Sequence, residues 1–139
     1  MKEIFYLDNK ALPTIPVPHD CVIKEIQIDK QCLAFIFEDD ISYHDSIKYI
    51  APKAKSLIVR YHLTDEDAFS IYKWKKPKKL SLRKGYYACL NPSKLLRSSN
   101  KIEYLYHNVG FCSIIIKLFS DEMIIVDVQA DYLEYEWIE

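Results

Sequence analysis

From Val22 onward the apolar residues either alternate with polar ones or run for four to eight residues between turn signals, the two patterns a β-strand leaves in a sequence. Eleven Tyr, six Phe and two Trp fit pleated, half-buried surfaces better than helices. Val22–Ile28 and Gln31–Phe37 read as a hairpin across Asp29-Lys30. In the second arm Leu33, Phe35 and Phe37 share one face and Cys32, Ala34 and Ile36 the other. Both faces are apolar, so this strand is expected to be central. Leu57–Leu63 places Leu57, Val59, Tyr61 and Leu63 opposite Ile58, Arg60 and His62. Thr64 and Asp67 could cap a helix, but Ala68–Trp74 reads better as a strand. A C-terminal β-meander is expected over Lys101–His107, Phe111–Phe119, Glu122–Ala130 and Tyr132–Ile138.

Three of the six prolines lie in Leu12–Pro18, which is therefore expected to be extended and outside any central strand, linking a first strand (Glu3–Leu7) to the sheet. The clearest helix is short: Asn91 suits the N-cap and Pro92 the first helical position. Strands about every ten residues with one short helix predict an all-β fold, an antiparallel sandwich or barrel-like sheet. With 139 residues, one domain spanning 1–139 is expected.

The chain has only two glycines, Gly85 and Gly110, and both are expected in turns that need positive φ. Gly110 would close a three-residue loop, Asn108-Val109-Gly110. Loops that cradle phosphate with glycine backbone are thereby excluded. Cys21, Cys32, Cys89 and Cys112 form no CxxC pair and are read as reduced, structural thiols. No apolar run approaches the roughly twenty residues of a membrane-spanning helix, and Met1–Lys10 does not read as a signal peptide, so a cytoplasmic protein is expected.

Catalytic signatures are missing. His19-Asp20-Cys21 and His44-Asp45 set imidazoles beside carboxylates, but neighbours in extended chain point to opposite faces and do not form a dyad. HExxH and nucleophile-elbow motifs are absent. Glu38-Asp39-Asp40 and Asp65-Glu66-Asp67 read as solvated turns without the glycine a calcium loop requires. The chain is read as non-enzymatic, with no catalytic residue, metal ligand or cofactor assigned. An enzyme or ligand-binding sandwich would require His19, His44, His62 or His107 to meet in a pocket.

Charge offers more. Net charge is −1, yet Ala68–Ile102 holds ten Lys or Arg and no acid, while Asp121–Glu139 holds seven acids and no base. Alternation at the C-terminus puts Tyr132, Glu134, Glu136 and Ile138 on one face and Leu133, Tyr135 and Trp137 on the other. Tyr132, Glu134 and Glu136 are candidate contacts for a basic protein partner, carboxylates raising the on-rate and aromatics anchoring. Lys75, Lys76, Lys78 and Lys79 with Trp74 form a second candidate surface, for an acidic protein or for single-stranded nucleic acid.

The entry His19-Asp20-Cys21-Val22-Ile23 into a hairpin and the ending Tyr132-Leu133-Glu134-Tyr135-Glu136-Trp137-Ile138 give the chain a resemblance to small β-rich bacterial immunity proteins of polymorphic toxin systems. It is a resemblance of style over most of the chain, and it carries over no functional residue. It implies a protein-binding inhibitor of a toxin, acting by surface charge complementarity. A nucleic-acid-associated module using residues 73–84 is the alternative.

Overall fold

The computed structural model describes residues 1–77, 82, 84–96 and 101–139. Among the described residues nine strands form one antiparallel sheet: β1 (Lys2–Tyr6), β2 (Val22–Ile28), β3 (Cys32–Phe37), β4 (Ser56–Leu63), β5 (Phe69–Lys75), β6 (Tyr86–Cys89), β7 (Ile102–Gly110), β8 (Ser113–Phe119) and β9 (Met123–Ile138). Two short helices interrupt them, α1 (Asp45–Lys48), entered through a 3-10 turn at Ile41–Tyr43, and α2 (Pro92–Leu96). The chain is thus all-β with a long C-terminal strand.

β9 organises the sheet. Its first half pairs with β8 and β5, its second half with β4 and β1. The pairings β9–β4–β3–β2–β7–β8–β9 return to their start, so these six strands close into a barrel. β1 extends the sheet on one side of β9, and β5 with β6 extends it on the other.

The meander was expected to break between Ala130 and Tyr132; instead β9 runs through. The register of β4 on β9 steps from His62↔Tyr132 to Leu63↔Ala130, which leaves Asp131 as an extra residue. A bulge of this kind keeps the strand paired while shifting its inward positions by one. Ile124, Val126, Val128 and Ala130 face inward before it, Leu133, Tyr135 and Trp137 after it. Similar shifts in β2 and β7 put inward residues three apart, at Ile23/Ile26 and Tyr104/His107.

Both glycine expectations fail for a physical reason. Among the described residues the positive-φ positions are Asp20, Asp40, Asp67 and Cys112, and neither glycine is one of them. β7 continues through Gly110, and the turn to β8 is Phe111-Cys112, with Cys112 at φ 48°. Gly85 is required by packing: a Cβ there would lie 2.2 Å from Trp74 Cζ2. The N-cap at Asn91 forms as expected, its Oδ1 accepting from Ser93 N at 3.0 Å.

The barrel interior holds Leu33, Phe35, Phe37, Leu57, Val59, Ile114, Ile116 and Leu118, each at most 1% exposed. It also encloses Tyr61, Tyr104, Tyr135 and His107, whose polar atoms are costly to bury unless they are hydrogen-bonded. The proline-rich segment supplies acceptors. Its prolines have no N–H, but Ile15 is buried and its carbonyl accepts from His107 Nε2 at 3.1 Å. The Pro16 carbonyl accepts from Tyr135 Oη at 2.7 Å. With Nε2 carrying the proton, His107 Nδ1 accepts from Tyr104 Oη at 2.5 Å. The Tyr61 hydroxyl lies against Tyr104 without completing a hydrogen bond.

Burial lowers the pKa of His107, and burial also lowers that of His62. The unfolded chain protonates both near pH 6.5, where the folded chain still holds them neutral. Stability is therefore full above about pH 6.5 and falls as pH drops toward the folded-state values. Urea midpoints at pH 7.5 and 5.5 should show this loss. His107→Gln, which keeps a donor for Ile15, should flatten it; an equally steep decline in that variant would remove His107 from the account.

Candidate functional site

The outward residues of β1, β9, β4 and β3 form a register-matched grid. Tyr6, Tyr132, His62 and Cys32 are successive cross-strand neighbours, as are Ile4, Glu134, Arg60 and Ala34. A third row holds Lys2, Glu136, Ile58 and Ile36. The His62 ring stacks on Tyr132 at 4.1 Å with an interplanar angle of 13°, and Tyr6 lies 5.8 Å from Tyr132 on the other side. Ile4 and Tyr6 are about half exposed, at 49% and 55%.

Tyr132, Glu134 and Glu136 share an outer face, as alternation requires, but the two carboxylates do not form an open negative row. Arg60 Nη1 donates to Glu134 Oε1 at 2.9 Å and to Glu136 Oε2 at 2.6 Å. Lys2 Nζ lies 3.5 Å from Glu134. The Arg60 hydrogen bond holds the Glu136 carboxyl below the usual carboxylate range. Two cations and two anions cancel on a face otherwise aromatic and aliphatic. Sequence reasoning missed Arg60, Ile4 and Tyr6 as members of this surface. The usable signal was Arg60 itself, since an arginine inside an apolar strand calls for a carboxylate on the strand beside it.

The second candidate surface lies on the β5–β6 extension. Trp74 packs edge-on against Tyr87 with ring centroids 5.1 Å apart. Lys76 reaches Glu122 at 2.8 Å, and Lys73 reaches Asp121 at 2.8 Å. The basic and acidic segments therefore meet where β5 pairs with β9. Lys75 has no carboxylate partner among the described residues. Lys78 and Lys79 lie outside the described residues.

The four histidines do not converge. His107 is in the core and His62 on the outer face. Ser46, two residues after His44, donates its hydroxyl to the His19 carbonyl at 2.9 Å. The rings of His44 and His19 are separately engaged: His44 Nε2 meets Glu38 Oε1 at 3.0 Å, and His19 Nδ1 meets the Leu105 carbonyl at 2.7 Å. Glu38 Oε1 also accepts from Val22 N at 3.1 Å, so this carboxylate ties α1's approach to the β2–β3 hairpin. Cys21 beside them is fully buried, and burial with the nearby Glu38 charge pushes its thiol up to about 12. At neutral pH it is a thiol rather than a nucleophilic thiolate. No group of three or more His, Cys, Asp or Glu among the described residues is placed to hold a metal ion.

Two outcomes follow from these contacts. Replacing Glu134 and Glu136 by Lys strands Arg60 between like charges, and should destabilise the fold by about 1–2 kcal/mol, a few degrees in Tm. An unchanged melt would show that the triad contributes nothing. With a chromogenic thiol reagent at pH 8, exposed Cys89 should react at once and Cys21 only on unfolding; prompt modification of Cys21 would contradict its burial.

No family model matches the chain, and neither a curated protein nor a solved structure shows significant similarity to it.

Proposed function

We propose that the chain is a non-enzymatic protein-binding module, and that it binds through the outer face of β1, β9, β4 and β3. One observation carries this reading: a water-facing strand surface whose charges, Lys2, Arg60, Glu134 and Glu136, are already paired with one another, set among Ile4, Tyr6, Tyr132, Ile58 and Ile36. Tyrosine and arginine dominate the energetics of protein interfaces, and charges satisfied before binding add less desolvation cost when covered. The side chains project from paired strands, so little ordering remains to be done on association.

The specific form we favour is an immunity-type inhibitor that covers a toxin surface. Its affinity then rests on apolar and aromatic contact more than on electrostatic steering, because the carboxylates are neutralised within the face. The nucleic-acid alternative keeps the aromatic–lysine combination of Trp74 and Lys75, but Lys73 and Lys76 are taken up by Asp121 and Glu122.

The test is a tagged pull-down from the native cell with nuclease added, at low and moderate salt. Wild type should retain one stoichiometric protein; Ile4→Glu with Tyr6→Ala should lose it, and Lys75→Ala with Lys76→Ala should keep it. Material that depends on the lysines, disappears with nuclease and falls steeply with salt would transfer the function to the basic segment.

A further inference from the structure

Between β5, α2 and the β8–β9 turn lies a cleft of about 240 Å³, lined by Lys73, Lys75, Lys94, Ser120 and Asp121 over an apolar floor of Leu90, Leu95 and Ile124. Three features of this cleft belong together. Lys73 is anchored by Asp121, Nζ lying 2.8 Å from Oδ1 and 3.1 Å from Oδ2, so that pair is neutral and fixed. Lys75 and Lys94 have no carboxylate partner among the described residues and leave an excess of two positive charges. The Ser120 hydroxyl is buried without a hydrogen-bond partner among the described residues, which is costly for a polar group shielded from water.

The order of the sequence explains how the cleft arises. Lys73 and Lys75 alternate along β5 and so share a face, and Ile71 on that same face is in the core. α2 lies across this side, its Leu95 only 4% exposed, which brings Lys94 to the rim. Ser120 and Asp121 come from the turn that joins β8 to β9.

We infer that this cleft binds a phosphate monoester. Its two surplus charges match a dianion, ammonium groups suit phosphate as point charges, and the unpartnered Ser120 hydroxyl, shielded while the cleft is empty, becomes a donor once its side chain turns toward the ligand. The apolar floor has room for a few atoms of the esterified group, since the whole cleft is smaller than the roughly 300–1,000 Å³ of pockets that enclose a drug-sized ligand. The site is separate from the outer face of β1, β9, β4 and β3, and its occupancy does not require a protein bound there. The ester could be a free small molecule or the phosphorylated side chain of another protein; the chemistry at the lysines is the same.

The test is an amide NMR titration of the 15N-labelled full chain with phenyl phosphate and, separately, with a short phosphoserine peptide, against sodium chloride at matched ionic strength. Saturable shifts are expected at Leu90, Leu95, Ser120 and Ile124. Lys75→Ala with Lys94→Ala should weaken binding about tenfold or more, and Ser120→Ala by a smaller factor. Lys10→Ala with Lys30→Ala, distant in sequence and exposed, should change nothing. Saturation by phenyl phosphate identifies a small-molecule ester, and saturation by the peptide alone identifies a protein side chain. Shifts that chloride reproduces, or that survive in the Lys75/Lys94 variant while its spectrum stays native, would overturn the inference.

Discussion

The backbone hydrogen bonding of β9 is what the remaining architecture depends on. One 16-residue strand is paired along both edges, with β8 and β1 on one side and β5 and β4 on the other. A strand of that length twists, and a straight one could not keep its apolar side inward across two sets of partners. The extra residue at Asp131 resolves the conflict. It bends the strand and resets its parity, so the same core is served by Ala130 before the bulge and Leu133 after it. The register shifts in β2 and β7 reset parity in the same way.

A second constraint is polar. The barrel cannot enclose Tyr104, Tyr135 and His107 without acceptors, and the segment best suited to offer them is one that has few donors of its own to satisfy. The proline-rich stretch meets that need: its carbonyls at Ile15 and Pro16 accept from His107 and Tyr135, and Pro13, Pro16 and Pro18 carry no amide donor of their own. What reads in sequence as a mere connection is a plug whose position is set by side chains of β7 and β9.

Local features of the fold were legible in the sequence because local chemistry decides them. The β2–β3 hairpin, the alternation in β4, the strand at β5 in place of a capped helix, and the Asn91-Pro92 helix start all rest on neighbours within a few residues. The misreadings are instructive in the same terms. Asp131 looked like a turn because a bulge and a turn both show a polar residue where alternation slips. The glycines looked like turn residues because their other use, clearing space for Trp74 or Ser113, depends on a contact that periodicity does not encode. The turn at Ile41–Lys48 gave no pattern longer than one helical turn. The candidate face was half visible: its β9 side chains followed from alternation, while Arg60, Ile4 and Tyr6 joined them only through pairings spanning some 75 to 130 positions of chain.

Those long-range pairings bear on how the molecule acquires its shape. β9 follows all four of its partners in chain order, so β1, β4, β5 and β8 emerge during synthesis with edges that nothing yet covers. Closing β1 onto β9 joins residues more than 120 positions apart, a loop whose entropy must be met before any contact rewards it. Folding should accordingly be late and slow, with the unpaired backbone edges of β4 and β8 exposed in the interval to pairing with other chains. The strand that gives the finished barrel its continuity is also the reason the unfinished one is vulnerable to aggregation.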